Sequence, residues 1–363
     1  MEHHTKLSHI IQHAFAQNKQ KIDPRRINLM AWLIIALCTC HSINYKKLAQ
    51  HIGRRADTDS NYRSIQRFME QANLPIAIIA TIIYQSIGIK GKVVLIMDRT
   101  NWQFGKHNIN ILMLAIRHNN IAYPLMFKLL DKKGNSNTTE RKELLDQYIT
   151  LFGKDNIAYL LADREFIGHD WLKYLDKHRI HYIIRVRHNF LIGRTRRRCV
   201  SKLLVSLKHG DIYYTDRRHY ILSNHCYITA LHRLDKDGKP DDVILISNLK
   251  THNALQYYQD RWQIECLFKG LKSSGFNFED THVTHLDRLE RLLSVTMLAF
   301  VWCYKLGEFV HQHLKPIKIK THGRRAVSMF VYGLRFIARC LQTGYKPNFL
   351  KNVDFTGFFL SCT

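Results

Sequence analysis

KVVLIMD, residues 92–98, places five apolar side chains in succession and ends them on a carboxylate. Three of the five are β-branched, and none alternates with a polar residue, so the run reads as a strand covered on both faces. Downstream, NINILMLAI (108–116) and NIAYPLMFKLL (120–130) read as two further strands. A helix from Thr139 to Phe152 follows, with Thr138 or Thr139 as its cap, and then a fourth strand, NIAYLLAD (156–163). His169 to Lys177 reads as a helix and HYIIRVR (181–187) as a fifth strand.

Strand, strand, strand, helix, strand, helix, strand is the order of an α/β, RNase H-like core, closed by a later helix around Glu265. Upstream the periodicity is helical: Lys6–Asn18, Ile27–Cys40, Tyr45–Ile52, Ser60–Gln71 capped by Asp59 or Ser60, and Ile76–Ser86 opened by Pro75. Two of these, Tyr45–Ile52 and Ser60–Gln71, are joined by GRRADTD and form either a helix-turn-helix variant or part of a bundle with a solvated basic face. In a groove, Arg54, Arg55, Arg63, Gln66 and Arg67 would reach phosphates and base edges. From Arg187 to about Lys250, short alternating runs (DIYYTD, HYILS, HCYITALHRL) and the turn DKDGKPDD read as a β insertion. Apolar helices Leu286–His311 and Arg324–Gln342 follow, for packing and self-association. The expected domains are a helical DNA-binding domain (1–87), a catalytic domain (88–285, insertion about 188–250) and a C-terminal helical region (286–363) with a possible dimer contact.

Lysine and arginine number 55 against 29 acids, a formal charge of +26, which points to a polyanionic partner. With 46% hydrophobic residues the chain has material for a packed core, unlike a disordered basic tail. The eight cysteines show no CxxC pair, and Cys38, Cys40 and His41 lack a second ligand pair for zinc, so the expectation is reduced thiols. The longest apolar run, Leu29–Cys40, is too short to span a bilayer and no signal peptide pattern opens the chain, so a cytoplasmic protein is expected.

Asp98 and Asp163 each follow a strand, where α/β sheets place ligands, although Asp also opens ordinary loops. Both are followed by arginine. In YYQDRWQIECLFKGLK (257–272), read as one helix at about 100° per residue, Tyr258, Arg261, Glu265 and Lys272 share an arc of roughly 60° beside an apolar stripe. Three carboxylates converging from two strands and a helix suit two Mg²⁺ ions, with Mn²⁺ as a substitute, for phosphodiester chemistry. The run GRTRRRC (193–199), with Arg194, Arg196, Arg197 and Arg198, would follow a DNA backbone.

These residues resemble a family. DRTNW (98–102), ADREF (162–166) and Tyr258, Arg261, Glu265 and Lys272 in the pattern Y-x2-R-x3-E-x6-K are similar to the three boxes of bacterial insertion-sequence DDE transposases of the insertion-sequence-4 type, the Tyr-Arg-Glu-Lys group. The resemblance implies an RNase H-like core, a β insertion before the glutamate, and Mg²⁺-dependent cut-and-paste transposition. It assigns Asp98, Asp163 and Glu265 as catalytic metal ligands, and Tyr258, Arg261, Lys272 and the nearby Lys269 to the phosphates of the transposon end. It further implies double-stranded DNA partners (terminal inverted repeats and target) and a homodimer in the synaptic complex. The resemblance also implies release of flanking DNA through a hairpin on the transposon end, helped by a flipped base stacked on an aromatic side chain. The insertion holds no tryptophan, which leaves Tyr213, Tyr214 or Tyr220. The competing readings are an RNase H-like nuclease without strand transfer and a catalytically silent DNA-binding descendant.

Overall fold

The structure is a computed structural model that describes residues 2–321, 323–343 and 356–359. Its helices are α1 (Glu2–Gln17), α2 (Pro24–Cys40), α3 (Tyr45–Gln50), α4 (Thr58–Gln71), α5 (Ile76–Ile87), α6 (Thr138–Phe152), α7 (His169–Lys177), α8 (Ala254–Gln259), α9 (Trp262–Lys272), α10 (Leu286–His313) and α11 (Met329–Thr343). Its strands are β1 (Val93–Phe104), β2 (His107–His118), β3 (Ile121–Leu129), β4 (Ile157–Ala162), β5 (Tyr182–Val186), β6 (Leu191–Ile192), β7 (Arg198–Cys199), β8 (Ile212–Tyr214), β9 (His219–Ile221), β10 (Asn224–Leu231) and β11 (Val243–Ser247). The chain divides into a helical unit (1–89, 101–109 and 266–363) and a sheet unit (90–100 and 110–265).

In the helical unit, α10 packs against α2, α4, α5 and α11. It is apolar and long enough to cross a membrane by composition, yet 89% of its most apolar window is buried inside the protein, which its role as core helix explains. Glycines let α11 approach it closely: a Cβ on Gly333 would collide with the Cys303 carbonyl, and one on Gly307 with that of Met329. Cys38 is buried with its sulfur 3.8 Å from that of Cys303, so it serves packing. Among the described residues none of the seven cysteines is in a disulfide, and Cys362 lies outside them. The expected helix Arg324–Gln342 begins later, at Met329, after an isolated bridge between Ile319 and Arg325.

The helix pair α3 and α4 is present, and Arg54 corrects one expectation. Its guanidinium donates to the Asn61 side chain, to Ser64 Oγ (2.6 Å) and to the Ser60 carbonyl (3.2 Å), so it staples the turn and does not face outward for DNA. Arg55, Arg63, Gln66 and Arg67 are exposed. Asp57, not Asp59 or Ser60, caps α4.

The sheet unit is built on strands ordered β3-β2-β1-β4-β5-β11-β10-β8, with β9 on β10. β1 pairs with β4 and β4 with β5 in parallel, and β2 with β3 antiparallel. Pro124 is tolerated because β3 is an edge strand and its register shifts there. α6 covers β3 and is capped by Asn137 in a reciprocal capping box with Glu140, not by Thr138 or Thr139. The 188–250 segment is only partly separate from the core: β11 pairs antiparallel with β5, and β10 and β8 extend the same sheet. Local alternation marks strands but cannot say which neighbour they join.

Candidate active site

Two parallel strands position the first two acids. The last residues paired between β1 and β4 are Met97 and Ala162, so Asp98 and Asp163 leave the ladder side by side. Adjacent strands lie about 4.8 Å apart. β1 does not end at Asp98, as its sequence suggested, but continues to Phe104. Asp98 accepts a hydrogen bond from the Arg99 amide (2.8 Å) and an ion pair from Arg261 Nη1 (2.9 Å). Burial pushes its carboxyl up to about 7, and Arg261 and the Arg99 amide only partly oppose this.

The third box does not form one helix. α8 stops at Gln259 and α9 starts at Trp262, and across the break Arg261 N bonds to the Tyr258 carbonyl (3.0 Å) and Ile264 N to that of Arg261 (3.1 Å). These short-range bonds tighten the turn. Asp260 is held there by Arg117 (3.2 Å). The four residues of the box therefore do not share the single helical face that their spacing suggested. What they bring together is nonetheless specific: the Arg261 guanidinium joins Asp98 to Glu265, and the Tyr258 hydroxyl donates to Asp163 Oδ1 (3.3 Å). Burial disfavours charge on Arg261, but Tyr258, Asp98, Asp163 and Glu265 more than reverse this and raise its pKa. Its Nε is buried without a hydrogen-bond partner, a donor still open to an oxygen ligand. Burial likewise raises the Tyr258 hydroxyl, which stays protonated as a donor.

All three predicted acids thus engage one arginine–tyrosine pair. Among the described residues no group of three His, Cys, Asp or Glu side chains is drawn together as metal ligands, and Arg261 bridges Asp98 and Glu265. In kind, the donors suit a hard divalent cation: carboxylate oxygens only, with a buried Asp98 whose charge one guanidinium leaves incompletely compensated.

The groups that hold these acids from behind form no motif in the sequence. Arg99 makes a two-pronged pair with Glu165 (3.1 and 3.2 Å) and donates to Asn110 and Asn135 (3.1 Å each). Arg141, 4% exposed, donates to the Glu165 carbonyl (2.9 Å) and to Ser136. Of these groups only Arg99 had a local signal, as the arginine that follows a strand-end aspartate.

Of the remaining candidates, Arg194, Arg196, Arg197 and Arg198 are exposed on the β6–β7 hairpin, whose loop needs Gly193 at φ +103°. A cleft of about 680 Å³ opens beside it, lined by Arg164, Arg187, Arg194, Arg197, His169 and Tyr220, with the Arg194 guanidinium 5.8 Å from the Tyr220 ring centre. Tyr213 is half-buried on β8, and Tyr214 is exposed with its ring edge to His252. Lys269 and Lys272 belong to the helical unit. Lys269 is exposed, whereas Lys272 pairs with Glu279 (2.7 Å) over the Trp102 ring.

No curated protein matches the chain. Among solved structures, the crystal structure of the NurA nuclease from Sulfolobus solfataricus overlaps 71% of this chain and 96% of that one at 11% identity, with a TM-score of 0.23 too low to inform fold or activity. Residues 89–302, more than half of the chain, match the family model described as the transposase DDE domain and take in Asp98, Asp163 and Glu265. The chain belongs to the transposase DDE domain family.

Proposed function

We propose that the chain is a transposase of the insertion-sequence-4 type that cuts the ends of its own element in Mg²⁺ and joins the freed 3′-OH to target DNA. The observation that carries this reading is the convergence of Asp98, Asp163 and Glu265 on Arg261 and Tyr258. The strand order β3-β2-β1-β4-β5, with its parallel and antiparallel pairs, supports an RNase H-like core.

Asp98, Asp163 and Glu265 would hold divalent cations, which lower the charge on the scissile phosphate and activate water or a 3′-OH. The protein supplies the rest. Arg261 has an unused buried N–H for a phosphate oxygen, and Tyr258, kept neutral, orients Asp163. The exposed hairpin arginines bind duplex phosphates, and within the helical unit Arg63 and Arg67 of α4, Lys269 and Lys272 do the same. Holding two element ends at once requires at least a homodimer. The expected domain roles are DNA binding in 1–87, catalysis in 88–285 and packing with a dimer contact in 286–363, acting on DNA in a bacterial cytoplasm.

The test is a strand-transfer assay with pre-cut 3′-OH ends of the element in Mg²⁺. Joined product is the expected result. Hydrolysis without joining would favour a nuclease, and binding with neither reaction a silent DNA-binding descendant.

A further inference from the structure

The ladder between β1 and β4 stops one residue short of the acids, at Met97 and Ala162. From there no backbone pairing between these strands fixes the distance between Asp98 and Asp163. What takes over is a side-chain bridge one and two residues further on. Arg99 follows Asp98 and Glu165 lies two beyond Asp163, and their fork-to-fork ion pair spans the gap at 3.1 and 3.2 Å. Both side chains are largely buried, 11% and 19% exposed. In extended chain, neighbouring residues face opposite sides, so Arg99 is directed away from the face that Asp98 presents. The bridge is anchored on both flanks: Asn110 of β2, itself held to the Lys132 and Gly134 carbonyls (3.0 Å each), and Asn135 fix the guanidinium, while Arg141 of α6 holds the Glu165 backbone.

We infer that Arg99 and Glu165 are positioning residues: their bridge replaces the missing ladder and sets the separation of Asp98 and Asp163 at which both reach the same divalent cation. The inference rests on the proposed metal role of those aspartates. Mg²⁺ is the demanding case, because it accepts little departure from octahedral geometry and its site must be held in shape. Arg in place of Lys follows from the same need, since only a planar guanidinium binds both carboxylate oxygens at once.

The test compares Arg99→Lys, Glu165→Gln and Asp98→Asn in the full chain, measuring Mg²⁺ affinity by titration calorimetry, single-turnover cleavage of element-end DNA, and the Kd for that DNA in EDTA. Arg99→Lys keeps the charge and loses the fork, and so separates geometry from field. We expect both bridge variants to bind Mg²⁺ about 10–100-fold more weakly, with cleavage partly recovered by excess Mg²⁺ and the Kd for DNA nearly unchanged. If either fails to fold by circular dichroism, the neutral double variant Arg99→Gln/Glu165→Gln takes its place. A folded bridge variant with undiminished Mg²⁺ affinity overturns the inference, and so does a chain in which no bridge variant folds, since the pair then serves stability alone. Undiminished Mg²⁺ binding in Asp98→Asn refutes the proposed metal site itself. Loss in Asp98→Asn alone refutes only the bridge.

Discussion

Two groups of arginines in the sheet unit differ. Arg99, Arg141 and Arg261 are largely buried, and each is committed to acceptors: Glu165 and two asparagines, the Ser136 and Glu165 backbone, Asp98 and Glu265. Arg194, Arg196, Arg197 and Arg198 stand exposed on a hairpin loop and meet no carboxylate among the described residues. The first set holds acids in place where salt screens little; the second offers charge to a polyanion where salt screens strongly. In these two groups one residue type holds acids in place where it is largely buried and is left available to an anion where it is exposed.

That contrast can be broken by substitution. Arg261→Ala removes the cation shared by Asp98 and Glu265 and leaves the largely buried Asp98 unpaired, while Glu265 is exposed enough for water to screen it, so we expect about 2 kcal/mol of lost stability in metal-free protein and a cleavage rate lower by about 100-fold. Chemical denaturation and single-turnover kinetics check the two effects, and an unchanged rate would assign Arg261 to structure alone. Replacing Arg196, Arg197 and Arg198 together with Ala should flatten the slope of log K against log salt by about 3 units, with the rate at saturating DNA unchanged. Fluorescence anisotropy across a salt series measures this, and an unaltered slope would mean that the hairpin does not meet DNA. The smallest effect is expected at α4. Arg63→Ala or Arg67→Ala should weaken binding of element ends by about 10-fold. Base-edge contacts would make that loss greater for the element end than for random duplex, and equal losses would reduce α4 to backbone contact.

The sequence made local features legible and left long-range partnerships hidden. The five strands from residue 92 to 187 and most helices are readable because apolar runs and their periods are local patterns. Spacing alone gave Tyr258, Arg261 and Glu265 a common helical face, whereas tertiary ion pairs to Asp98 and Arg117 meet at a break in the helix. The strands of 188–250 were visible, but β11 completing the main sheet beside β5 is a non-local choice. Arg54 reads as a DNA contact only if its helix pair enters a groove, and only the fold shows that Asn61 and Ser64 already hold it. Glu165 lay within the quoted ADREF box without a role, since its partner Arg99 is 66 residues away.

The central claim is that Asp98, Asp163 and Glu265 act as one acidic site. Its most direct test is cleavage of element-end DNA by Glu265→Gln, with the Kd for the same DNA measured in EDTA. Glutamine keeps the size of the side chain and a neutral acceptor for Arg261 but removes the carboxylate charge. Cleavage reduced about 1,000-fold or more in Mg²⁺ at a nearly unchanged Kd is the expected result. Undiminished cutting by the folded variant would contradict the site.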